Sequence, residues 1–247
     1  EFFLPQFETR LFPGIRPVVT LFHPLDERVP FRPHRLRYYL SYIQLVIRSM
    51  GYIHARCGAA ARPEIARMFR QLCHHYYLSG SIYRRCQSTT VHRLPLGAGI
   101  YSLIVRLFDP HLHCVPSLHI LAVCYNYLAG AEILRRLLPP GHPAQAGAAE
   151  MFDIAVRITE TVLMVKQHSV LDIAPTLFLL SCDLRQFDEK EVGRFVGALF
   201  RRWPQIAGPL RAVVLQGYRE LRAAHRRASA ADPAARILEY LERRARP

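Results

Sequence analysis

Apolar residues recur at helical spacing along most of this chain, and strand-like alternation of Val, Ile and Thr is absent, as are Asn-Gly hairpin signals. The pattern predicts helices over 35–56 (broken near Gly51), over 63–79 with Pro63 in the first turn, and over 100–108, ending at Asp109-Pro110. The clearest runs from Ser117 to Leu138, with Pro116 ahead of it and Pro139-Pro140-Gly141 closing it. Met151 to Cys182 reads as one or two helices, with Pro175 expected to kink or split it. From Asp188 to Trp203, Val192, Phe195, Val196, Leu199 and Phe200 share one face; 210–227 and 234–246 supply two more helices, the last opened by Asp232-Pro233. Residues 1–34 are rich in Pro and aromatics without a period and read as an extended arm with turns; 80–99 read as polar turns and 139–149 as a linker. The expected fold is an all-α helical bundle: an arm (1–34), a main bundle (35–185), and C-terminal helices (186–247) packed on the same domain.

Composition narrows the partners. The 247 residues are 51% hydrophobic, enough for one large core. Lys and Arg number 33 against 19 Asp and Glu, a net +14, and all but Lys166 and Lys190 of those cations are Arg. Such a surplus favours anionic partners, although GC-rich coding produces the same Arg bias. Half of it lies from Arg201 onward, where eleven Arg face four acids. Those helices suit an anionic membrane surface, each cation adding about 1 kcal/mol there, or are simply a solvated face. No nucleic-acid motif accompanies the charge. Cys57, Cys73, Cys86, Cys114, Cys124 and Cys182 form no CxxC pair, and most of them read as small buried hydrophobes.

No stretch makes a convincing transmembrane span alone. The longest run without Asp, Glu, Lys or Arg, 110–131, opens with histidines and a Pro-Ser pair, and mean hydropathy is +0.05. Glu1 reads as a start inside a longer gene product, with no signal segment in view.

Two short motifs carry chemistry. Pro116-Ser117-Leu118-His119 places a hydroxyl and unpaired backbone N–H groups at a helix start, where an anion is favoured, with His119 in reach. Alone, Ser117 reads equally well as an ordinary N-cap. In Lys166-Gln167-His168-Ser169-Val170-Leu171-Asp172, His168 and Asp172 stand four apart, on one face of a helix. A carboxylate that accepts one imidazole proton fixes the tautomer and leaves the other nitrogen free to attack. An isolated pair of this kind is more often a plain hydrogen bond; the two motifs together, with 49 residues from His119 to His168, are a rarer coincidence.

Together these residues resemble the type 2 phosphatidic acid phosphatase superfamily, and Cys114–His119 with Val165–Asp172 are most similar to its inositol phosphorylceramide synthase-like branch. The resemblance implies a helical bundle of that acid phosphatase type and a metal-independent phosphatase or phosphotransferase without cofactor, acting on phosphomonoesters or phospholipid headgroups at or in a membrane. His168 would become a phosphohistidine, Asp172 would orient it, and His119 would protonate the leaving alcohol and then activate water or an acceptor hydroxyl. Ser117 with its backbone N–H, Arg93 and Lys166 would hold phosphoryl oxygens. The family's first motif is not intact: Thr89–Pro95 is the nearest match, with Arg84 and Arg85 as rivals to Arg93. Val162 stands where an Arg is usual, and Ser169 where an aromatic is common. These departures sustain an alternative, a catalytically silent, basic lipid-binding or scaffold member.

His74-His75, His111, His113 and Cys114 are candidate metal ligands without a second cluster at standard spacing, so no metal site is expected. Tyr38-Tyr39 and Tyr76-Tyr77 read as packing residues rather than stacking platforms.

Overall fold

The computed structural model describes residues 4–92, 99–109, 111–228 and 232–245. Helices hold 76% of it and strands 4%, so the fold is all-α. In chain order the elements are α1 (Leu4–Leu11), β1 (Val18–Leu21), α2 (Pro24–Arg28), α3 (Leu36–Leu40), α4 (Tyr42–Cys57), α5 (Ala61–Arg85), β2 (Gln87–Thr90), α6 (Ile100–Phe108), α7 (Leu118–Leu137), α8 (Ala146–Met164), α9 (Ile173–Asp183), α10 (Glu189–Ala198), α11 (Pro204–Arg227) and α12 (Pro233–Ala245).

α7 is apolar all round, with Leu121, Ala122, Val123, Cys124 and Tyr125 consecutively buried, and a helix of that kind belongs in the middle. It packs against α4, α5, α8 and α9, and α11 closes over α9, flanked by α10 and α12. Gly130 allows the close approach of α7 and α8, because a methyl group there would run into the Met151 sulfur. No helix among the described residues is long and apolar enough to cross a membrane.

The arm is not simply extended. α1, β1 and α2 occupy it, and β1 pairs in parallel with β2, Val18 opposite Gln87 through Leu21 opposite Thr90. Four-residue strands are too short for periodicity to register. β2 also carries the approach to α7: Ser88 N donates to Leu112 O (3.1 Å), and Ser88 Oγ accepts from Val115 N (2.8 Å). Gly51 does not break α4, and α5 runs on to Arg85 through a segment that reads as turns.

The largest departure concerns 165–172. α8 ends at Met164, Lys166 adopts φ +58°, and a 3-10 turn over Val170–Asp172 precedes α9. His168 and Asp172 therefore sit on a loop and turn, not on one helix face. Pro175 does not kink a helix either. It falls in the first turn of α9, where no intrahelical N–H is needed.

Proline has a different consequence inside α11. Pro209 cannot donate to the carbonyl of Gln205, and Arg28 of α2 supplies the missing donor at 2.6 Å. That bond ties the arm to the C-terminal helices.

Candidate active site

Three chain segments meet at His168. The β2-bound approach delivers Ser117 as the N-cap of α7, its hydroxyl accepting from Ile120 N. The break after α8 delivers His168, and the following turn delivers Asp172, whose carboxylate accepts from Ser169 N at 3.0 Å. His168 Nδ1 donates to Asp172 Oδ2 at 2.8 Å, and Nε2 faces Ser117 Oγ at 3.2 Å. The His119 ring lies edge-on to His168, with centroids 6.0 Å apart.

The carboxylate cannot donate, so the proton sits on Nδ1 and the Nε2 lone pair accepts the Ser117 hydroxyl. Burial pushes the Asp172 carboxyl up to about 6, against the downward pull of His168 and Ser169 N–H. Its Oδ1 is buried and has no hydrogen-bond partner among the described residues.

His119 is clamped between Tyr39 and Tyr42, each ring centroid 4.1 Å away. Tyr39 is a core residue, as its packing reading has it, and the ring it packs against is that of a site histidine. Burial and the nearby His168 push the His119 imidazole down to about 3, with Asp109 pulling the other way. The Asp109 carboxylate accepts from the Tyr39 hydroxyl at 2.5 Å and from His111 N at 3.1 Å. Burial would raise it, but the Tyr39 bond, His119 and His111 outweigh burial and hold it below the usual carboxylate range.

Neither a known family, nor a curated protein, nor a solved structure matches the chain. Its chemistry rests on its own geometry.

That geometry treats the expected phosphate-binding groups unevenly. Ser117 Oγ is at the site, but Ser117 N–H donates to Thr176 Oγ1 at 2.8 Å and is taken. Lys166 donates its ammonium to the carbonyls of Asp26 and Val29, the latter at 2.6 Å, and so caps α2. Arg93 lies outside the described residues. Arg84 and Arg85 are exposed at the end of α5. Val162 is fully buried in α8. His113 lies against Tyr83, ring on ring at 4.1 Å, and burial pushes it down to about 4.

Of the residues that support the site, only His111 was singled out in the sequence, and there as a candidate metal ligand. Asp26 of α2 accepts from Ser169 Oγ (2.7 Å), Val170 N (2.8 Å) and His23 N (2.9 Å), bracing the turn from behind. Tyr240 of α12 donates to Leu171 O at 2.7 Å. His111 donates Nε2–H to Gln167 O at 2.7 Å and accepts from Thr89 Oγ1 at 3.1 Å. Thr176 bridges Asp172 O and Ser117 N. Only Thr176, four residues past Asp172, left a spacing signal.

Proposed function

We propose that the chain hydrolyses or transfers the phosphoryl group of a phosphomonoester or phospholipid headgroup through a phosphohistidine at His168. The observation that carries this reading is the orientation of the ring, with Nδ1–H fixed on Asp172 and the Nε2 lone pair turned towards the start of α7. In the first step the Nε2 lone pair forms the N–P bond as the P–O bond to the alcohol breaks. Nδ1 keeps its proton, and the cationic ring is balanced by Asp172. His119 in its protonated form gives its proton to the departing alkoxide. In the second step neutral His119 takes a proton from water or an acceptor hydroxyl, whose oxygen attacks phosphorus and releases His168. An arriving phosphate dianion raises the His119 pKa from its depressed resting value, which couples protonation to substrate binding.

The distance of 3.2 Å from Ser117 Oγ to His168 Nε2 also favours a second reading, a serine nucleophile served by His168 and Asp172 in acyl transfer. Labelling separates the two. The phosphohistidine reading expects phosphate release that vanadate inhibits, an acid-labile phosphoryl adduct on His168, and loss of both in His168→Ala. A fluorophosphonate adduct on Ser117 with ester hydrolysis and no phosphohistidine would replace it with the serine reading. Failure of both assays with several alcohol acceptors would favour the silent, lipid-binding alternative.

A further inference from the structure

We propose that Cys114, His168 and Asp172 form a binding site for a borderline-soft divalent ion, zinc foremost, and that the bound ion silences His168. One donor atom from each of the three lies within 4.8 Å of the others, and all three side chains are buried. Zinc bonds of about 2.0–2.3 Å imply donor separations of roughly 3.3–3.8 Å in a tetrahedron, so the site closes with side-chain shifts of about 1 Å.

Charge argues for the ion. Asp172 is fully buried with Asp26 behind it, and its buried Oδ1 has no hydrogen-bond partner among the described residues, an unsatisfied lone pair in an otherwise well-bonded turn. A dication with one carboxylate and one thiolate makes a neutral unit, the state a low-dielectric interior tolerates. Binding releases the Cys114 proton. The neighbours suit a coordinated group: Ser169 N–H holds Asp172 Oδ2, and His111 Nε2 stands 3.9 Å from Cys114 Sγ. Three protein ligands leave the fourth position open to water or an anion.

No sequence spacing announces the site. Cys114 belongs to the approach to α7 and the other two ligands to the loop after α8, so only packing brings them together. Coordination does not depend on the phosphohistidine reading. Its consequence does, because an imidazole holding a metal and losing its Asp172 bond cannot attack phosphorus.

The test begins with the metal alone. The purified full chain is titrated with Zn²⁺ and Co²⁺ against a chelator of known affinity. One ion per chain is expected, with a thiolate-to-cobalt charge-transfer band in the near ultraviolet. Cys114→Ser is expected to abolish the band and to weaken Zn²⁺ binding by more than about 100-fold, beyond the loss typical of an outer-sphere contact. Cys73→Ser, which removes an exposed thiol elsewhere, is expected to change neither. X-ray absorption of the unmutated zinc form needs no variant and is expected to give one sulfur and otherwise N/O scatterers. The absence of stoichiometric binding, a band that survives Cys114→Ser, or two or more sulfur scatterers would overturn the site. Where phosphate release is measurable, Zn²⁺ should suppress it at the same concentration that fills the site. Suppression without filling, or filling without suppression, would overturn the silencing. A chain with no turnover would sink the phosphatase reading while the binding measurements still stood.

Discussion

His168 and His75 are both buried histidines beside an aspartate, yet their surroundings differ in kind. His168 has a partner on each ring nitrogen, Asp172 at 2.8 Å and Ser117 at 3.2 Å. His75 of α5 is fully buried, with Nδ1 3.4 Å from Asp183 Oδ2 but no hydrogen bond on either nitrogen among the described residues. Tyr125 meets its ring at 5.2 Å, and burial with the neighbouring His74 pushes it down to about 4. Asp172 is locked in a turn by Ser169 and Thr176, whereas Asp183 ends α9 at the half-buried margin. Proximity of the two residue types is therefore not enough. The aspartate must be held by its own backbone contacts before it can orient an imidazole.

The largest expected effect breaks that contrast at its centre. His168→Ala should lower phosphate release by about 10⁴-fold, the scale of losing one member of a catalytic unit, while His75→Phe leaves it within about 3-fold. Equal losses in steady-state assays of the two variants would remove the distinction. Asp26→Ala comes next. It strips partners from Ser169 Oγ and Val170 N, and should cost about 3 kcal/mol in urea unfolding, with turnover reduced as well. An unchanged midpoint would show that the turn needs no brace.

Only the His75 side carries a simple pH signature. Its folded pKa is about 4 against 6.5 for the free side chain, so between those values the unfolded chain binds more protons. The stability attached to neutral His75 is complete above pH 6.5 and is lost as pH falls towards 4, on the order of 3 kcal/mol in all. His75→Phe should flatten that part of the stability curve relative to the unmutated chain. Parallel curves would mean that His75 accepts a proton freely when folded. Smallest is Arg28→Ala, expected to cost about 1 kcal/mol or less because water can reach the exposed Gln205 carbonyl. A double-mutant cycle with Pro209→Ala tests the cause: the restored helical N–H should cancel the loss.

How much of this was legible follows from the length of each signal. The long helices were visible because their apolar faces repeat over many turns, as in Val192, Phe195, Val196 and Leu199 of α10 and its exit. Helix ends were less so: Gly51 marks no break in a helix that packing carries through it, and the break after α8 falls at Lys166-Gln167-His168-Ser169, a short polar step between two apolar runs that carries no Gly or Pro to announce it. At the site, Ser117, His119, His168 and Asp172 were nameable from two motifs, and the structure brings all four together. The family resemblance implies a phosphate-binding role for Lys166, but a positive φ with two waiting carbonyls turns it to α2 instead.

The sequence by itself determined the helical class, the extent of α7 and the residues able to do chemistry, because periodicity and side-chain type are local properties. Tertiary structure alone decided that Asp26 and Tyr240 brace the turn from opposite ends of the chain. It also decided that Tyr39 and Tyr42 clamp His119, and that Cys114 stands beside His168 and Asp172. Each of those contacts joins residues far apart in sequence, where no local spacing can encode a meeting that depends on how whole helices pack.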